Sequence, residues 1–315
     1  MLRRMLLASV GAIALAGTAF AADLPLRAPP PVYVPPPPVM TWTGFYVGLN
    51  AGGTWGSNSV DVTTVPLNAF TGNAFPGPTS IAAALAATGT QSANTGGFIG
   101  GGQIGYNYQF YNNFVAGIEA DIQGVAGAHA TSNRFGSVDA LSSVGFPGNF
   151  ATVDTTVHQA LDYLGTVRGR LGWAITPTLL IYGDGGLAYG GVSSETGIFG
   201  QNIGVNLGLC CGNPSFFSNG GISTTRVGWT AGGGVEWMFL PNWSAKVEYL
   251  YYNLGSASYS AGFATALAAG GVIPVGTPIY GLASQSSTHF NGNIVRAGIN
   301  YHFNWGAPAP IVAKY

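Results

Sequence analysis

The sequence predicts an all-β protein, an eight-stranded antiparallel transmembrane β-barrel with short periplasmic turns and four long extracellular loops. Three observations predict it. Charged residues are 7% of the chain and hydrophobic residues 47%, against ~25% charged in an ordinary soluble domain, and a disordered chain is not so apolar. Beyond the N-terminal segment no apolar run approaches the ~18 residues of a spanning helix, so a closed barrel is the remaining way to satisfy every backbone group inside a bilayer. Finally, segments of strand length carry their charges on one face and apolar residues or Gly on the other.

The chain opens with basic Arg3 and Arg4, the apolar run Met5 to Ala16, and small residues around Ala19-Phe20-Ala21. This is the pattern of a secretory signal peptide over residues 1–22, cleaved after Ala21 or Ala22, and it implies export; with the barrel reading the expected destination is the outer membrane. Residues 23–41, with Ala28-Pro29-Pro30-Pro31 and Pro35-Pro36-Pro37-Pro38, read as an extended proline-rich periplasmic spacer. The barrel is expected over 42–303 and a C-terminal tail over 304–315. Without Arg3 and Arg4 the 10 basic residues become 8 against 11 acidic, a formal charge of −3, which gives no indication of nucleic-acid binding.

Eight strands are expected, at 44–53, 97–109, 114–125, 161–174, 179–190, 226–239, 243–252 and 293–303. Their connections alternate: 54–96 long, 110–113 short, 126–160 long, 175–178 short, 191–225 long, 240–242 short, 253–292 long. The short ones hold turn residues, Tyr111-Asn112-Asn113, Thr176-Pro177 and Pro241-Asn242. This asymmetry is that of outer-membrane barrels, and it puts both barrel ends on the periplasmic side.

Strand parity assigns the faces. Glu119 and Asp121 oppose Ile118, Ala120 and Ile122, while Asp162, Arg168 and Arg170 oppose Leu161, Tyr163, Val167, Leu171 and Trp173. Arg226 and Glu236 oppose Val227, Trp229, Val235 and Trp237. Lys246 and Glu248 oppose Trp243, Val247, Tyr249 and Tyr251, and Asp184 and Arg296 likewise face away from apolar neighbours. The eleven charged residues are therefore expected in the lumen and the aromatic residues on the lipid side, the reverse of a soluble ligand-carrying barrel. Trp42, Trp173, Trp237, Trp243 and Phe303 would form the girdle near the short turns, and Tyr163, Tyr189, Trp229 and Tyr251 the girdle near the long loops.

The motif Trp42-Thr43-Gly44-Phe45-Tyr46-Val47-Gly48-Leu49-Asn50-Ala51-Gly52-Gly53 resembles the opening strand of the small alphaproteobacterial outer-membrane barrels called outer-membrane immunogenic proteins or porin-family proteins. So do Gly165-Thr166-Val167-Arg168-Gly169-Arg170-Leu171-Gly172, Gly232-Gly233-Gly234-Val235-Glu236, and Val295-Arg296-Ala297-Gly298-Ile299-Asn300-Tyr301-His302-Phe303. The resemblance implies an abundant surface barrel that supports envelope integrity and is exposed to host immunity; some relatives are proposed to bind haemin. Implied partners are outer-membrane lipid and lipopolysaccharide and the barrel-assembly machinery, with peptidoglycan or host surface molecules as further candidates. Many such barrels end on the Phe read by that machinery, whereas here Phe303 is followed by Asn304 to Tyr315.

With six acids and five bases, the expected inward set favours a salt-bridged filling, because an eight-stranded barrel has room for little beyond its side chains. The alternative is a small-solute porin with a narrow ion path. His129, His158 and His289 fall in or beside the long loops, where they could serve as haemin ligands or be ordinary solvated residues. No nucleophile, base and orienting group are recognisably arranged, so no enzyme and no catalytic residue is expected. Cys210 and Cys211 are adjacent and have no metal-ligand spacing; a vicinal disulfide, a link to another chain and free thiols are all open.

Overall fold

In the computed structural model the described residues are 41–67, 77–111, 113–140, 148–203, 215–267 and 278–303. The segment expected to be a signal peptide, the proline-rich segment up to residue 40, the expected tail 304–315, and Cys210 and Cys211 lie outside them. Among the described residues the strands are β1 (Gly44–Leu67), β2 (Gly89–Phe110), β3 (Phe114–Ala126), β4 (His129–Asp139), β5 (Phe150–Thr176), β6 (Leu179–Ile203), β7 (Ser215–Leu240), β8 (Trp243–Leu267) and β9 (Pro278–Phe303), with one helix, α1 (Gly77–Ala87). Every pairing is antiparallel. β1 pairs with β2 and β9, β3 joins β2 to β5, and β5 through β9 follow in order, so eight strands close a ring. β4 continues β3 upward past Gly127, whose φ of 81° breaks the strand, and pairs with β5.

The short turns fall where they are expected. Tyr111 takes a left-handed φ of 47° between β2 and β3. Asn113 and Asn242 each donate a side-chain amide to a neighbouring strand, at the carbonyls of Ala174 (2.9 Å) and His302 (2.8 Å). The other strand ends differ from expectation. Most of each segment expected as a long loop is strand, and β5 alone runs 27 residues. At ~3.3 Å per residue and ~40° of tilt such a strand rises nearly 70 Å, over twice the ~25 Å apolar band of a membrane barrel.

The physical reason lies in the alternation, which inverts partway up. On β1 the outward side chains Phe45, Val47, Leu49 and Trp55 give way above Trp55 to Ser57, Ser59, Asp61 and Thr63, while the inward ones change from Asn50, Thr54 and Asn58 to Val60 and Val62. On β5 the upper stretch buries Ala151, Val153 and Val157 and turns Thr152, Asp154, Thr156 and His158 outward. The lower half therefore suits lipid outside and a charged interior; the upper half suits water outside and a core of apolar side chains interleaved with Ser, Thr and Gln. Register shifts at Leu161/Tyr163 and Asn253/Ser256, together with Gly127, cluster where this inversion occurs. Bulges bend and twist a sheet locally, as a barrel leaving one solvent for another requires.

α1 plugs the upper core. Its Ala-rich sequence favours helix, and Ala82, Ala83, Ala84, Ala86 and Ala87 are buried in one apolar cluster with Val60, Val62, Val153, Ile198, Phe216 and Leu282 from the strands. The Thr88 hydroxyl donates to the Ala84 carbonyl (2.8 Å) and Arg134 Nη1 to that of Ala86 (3.0 Å), satisfying two of the carbonyls at the helix C-terminus. Only glycine fits at 136, because a Cβ there would lie 2.1 Å from the Ala86 oxygen.

Candidate functional site

At membrane height bulky apolar side chains face outward, and the inward side chains meet across the lumen. Arg168 on β5 is central. Its Nη2 contacts Glu119 Oε1 at 2.5 Å and Asp121 Oδ2 at 2.9 Å on β3, and its Nη1 contacts Glu248 Oε1 on β8 at 2.8 Å and also pairs with Asp184 on β6. Arg296 on β9 bridges Asp121 (2.8 Å) and Glu248 (2.6 Å), and Lys246 on β8 reaches across to Glu119 (2.8 Å). Arg170 pairs with Glu236 (2.8 Å) and lies 3.7 Å from the ring centroid of Tyr182.

Joined through the Arg170–Glu119 pair (3.3 Å), these nine groups form one connected cluster of five carboxylates and four cations, each with a side chain no more than 2% exposed. Withdrawing so many charges from water is costly, and only mutual pairing with further hydrogen bonds offsets it. Such bonds are present. Tyr46 donates to Glu119 (2.7 Å), and Asn300 and Ser244 donate to Glu236 (2.7 and 2.5 Å). The chain continues from Asn300 to Gln103 (2.5 Å) and Asn50 (3.0 Å), and from Ser244 to His302 (2.8 Å). Tyr46 can lean over the lumen because its cross-strand partner is Gly105, where a Cβ would stand 2.4 Å from the tyrosine ring.

Apolar layers lie below and above the cluster. Below, Trp42, Val115, Ala174, Leu180, Tyr182 and Met238 pack at the periplasmic end. Above, Ile99, Leu161, Leu164, Leu250, Leu254 and Phe290 belong to a second buried layer. The arrangement can tie opposite walls together and occlude the lumen; among the described residues no group of three or more His, Cys, Asp or Glu is placed to hold a metal ion.

The geometry brings together Glu119, Asp121, Arg168, Arg170, Asp184, Glu236, Lys246, Glu248 and Arg296 from the expected inward set. Asp162 is a correction: the bulge at Leu161/Tyr163 shifts the parity, and Asp162 is exposed on the outside. Arg226 has the inward parity but stands above the cluster, half-buried, donating to the Ser256 carbonyl. Trp42 is a second correction, since it is fully buried with its ring edge-on to His302, 5.9 Å between centroids, and closes the lumen from below instead of meeting lipid. Trp173, Trp237 and Trp243 face outward, and Phe303 is partly exposed against Tyr301. Trp55 joins the upper girdle, unforeseen because its segment read as loop. His129, His158 and His289 all point outward, the first two from β4 and β5 and the third from β9 on the opposite side of the ring, so no single group could be ligated by all three. Tyr46, Asn50, Gln103, Ser244 and Asn300 complete the cluster but carry no charge, and parity alone could have placed them.

Residues 11–303 match the family described as outer membrane protein beta-barrel domain. The chain is 32% identical over 305 residues to the 31 kDa outer-membrane immunogenic protein of Brucella melitensis biotype 1, covering 96% of this chain and 100% of that one. It is 26% identical over 259 residues to the 25 kDa outer-membrane immunogenic protein of Brucella abortus biovar 1, covering 82% and 87% respectively. Among solved structures it is similar to the outer membrane protein OprG from Pseudomonas aeruginosa, at 12% identity and a TM-score of 0.32 over 83% of this chain and 96% of that one.

Proposed function

The chain belongs to the outer membrane protein beta-barrel family, and on that premise we propose that it is a closed barrel with a structural, envelope-supporting role and a surface-interaction role. It is an outer-membrane protein, set in lipid and lipopolysaccharide. One observation carries the proposal: the Arg168 guanidinium meets four carboxylates from three other strands in the middle of the lumen. A group held by that many partners is expensive to move, because among the described ion pairs Asp184 would lose its cation and Glu119, Asp121 and Glu248 would each lose one of theirs, all within the buried lumen. The ion pairs act here as a filling that braces the ring, and eight strands leave no room for a wide water column beside them. The apolar layers and α1 add further barriers along the same axis. The upper strands then display their outward faces to the exterior, which suits a surface antigen.

Planar-bilayer recording of the refolded protein tests this reading against that of a small-solute porin. We expect no large, steady, reproducible conductance. A channel of that kind, seen repeatedly at single-molecule level, would overturn the closed-lumen reading.

A further inference from the structure

One row of outward side chains in the upper half departs from its surroundings. Phe135 on β4 is opposite Asp154 on β5, Asp154 is opposite Phe199 on β6, and Phe199 is opposite Phe217 on β7. The three rings are 70%, 47% and 60% exposed, leaving on the order of 350 Å² of apolar surface if each side chain can bury ~200 Å². Summed over the row, that is within the size range of the largest contiguous patch on many monomers, which is often functional, although here Asp154 separates Phe135 from the adjacent pair Phe199 and Phe217. The outward neighbours one row above are Ser137, Thr152, Gln201 and Ser215, and one row below Asn133, Thr156, Gly197 and Asn219. Phe217 lies 12 residues up β7 from the girdle residue Trp229, which is ~30 Å above the membrane interface at the rise and tilt of barrel strands. Lipid tails do not reach it.

The charge on this face is of one sign. Asp139, Asp154, Asp162 and Glu195 take the outward side of β4 to β6, whereas the two arginines of the region, Arg134 and Arg226, donate to the carbonyls of Ala86 and Ser256 on the inner side. Among the described residues of this face no Lys or Arg points outward. A second copy of the chain would present the same acids, and anionic lipopolysaccharide would be repelled. Aromatic rings flanking a carboxylate suit a cation instead, by attraction to the ring faces and to the acid together.

We propose that this face docks a cationic polypeptide segment in which Lys or Arg alternates with apolar residues, the cations meeting Asp154, Glu195 and the phenylalanine rings. The proposal rests on the reading of the upper strands as standing outside the outer leaflet. The test uses the full chain refolded in phosphatidylcholine nanodiscs and a short fluorescent peptide alternating lysine with valine, with binding read by anisotropy against empty nanodiscs. Wild-type protein should bind it with an affinity that falls as salt rises, and should bind a glutamate–valine peptide far less. Affinity should drop by about tenfold or more in the double variant Phe199→Ser, Phe217→Ser, as removal of two central anchors does. Asp154→Asn should weaken binding and flatten its salt dependence, and Asp61→Asn, on β1 across the ring, should leave it unchanged. Equal binding of the glutamate peptide by wild-type protein, or full affinity in the double variant, would overturn the proposal. So would dissociation of a protein dimer in that variant, which would assign the row to a second copy. Heat-modifiable gel migration is followed in parallel, so that loss of the barrel itself is told apart from loss of docking.

Discussion

Val247 provides the sharpest test of how the two halves meet their solvents. It faces outward on β8, 58% exposed, with Trp243 four residues below it and Tyr251 four above on the same face. At ~2.6 Å of height per residue it lies ~10 Å from each girdle, close to the middle of a ~25 Å apolar band. Val247→Arg should therefore cost ~2–4 kcal/mol. The same change at Ser223, outward and exposed on β7 six residues above Trp229, faces water or sugar and should cost no more than ~0.5 kcal/mol. At Val153, inward and fully buried in the upper core, it would place an unpaired charge in an apolar layer, at a cost of several kcal/mol. Urea titration of the protein refolded in phosphatidylcholine vesicles, followed by tryptophan fluorescence, measures all three. If Ser223→Arg cost as much as Val247→Arg, or Val247→Arg were tolerated within ~0.5 kcal/mol, the inversion of solvent between the halves would be refuted.

Two further outcomes follow from the interior. Arg168→Met leaves Glu119, Asp121, Asp184 and Glu248 short of their shared partner and should destabilise by ~3–5 kcal/mol; adding Glu119→Gln and Asp184→Asn should recover part of that, and a loss under ~1 kcal/mol in the same titration would show that the cluster does not brace the ring. Gly136→Leu drives a side chain into the Ala86 carbonyl at the end of α1, so hydrogen exchange in α1 should accelerate at a cost of ~1–3 kcal/mol while heat-modifiable migration persists; unchanged exchange would mean α1 is not seated on β4.

The legible part of the fold was the lower half. There each strand alternates strongly between bulky apolar residues and charges or Gly, and the short turns carry Asn or Pro, so both the strands and their facing could be read. The upper half alternates too, as in Ala151-Thr152-Val153-Asp154-Thr155-Thr156-Val157-His158. Many of its inner residues are Ala, Val, Ser or Thr and most of its outer ones Ser, Thr, Asn or Gly, so the same segments read as loops. α1 was hidden for a related reason, because a short alanine-rich stretch has no polar face to show periodicity.

The sequence by itself determined that this is a barrel in lipid, because charge scarcity, the absence of a spanning helix and face-specific alternation are properties of the chain that no packing can alter. It also determined the parity of most lumen charges. Tertiary structure decided the rest. The bulge at Leu161/Tyr163 put Asp162 outside, since one extra residue reverses every side chain beyond it. Trp42 turned inward because the lower end of the lumen had space that an indole could fill against His302. The pairing of Arg168 with four carboxylates depends on strands distant in sequence reaching across one ring, and only closure of that ring sets which charges meet.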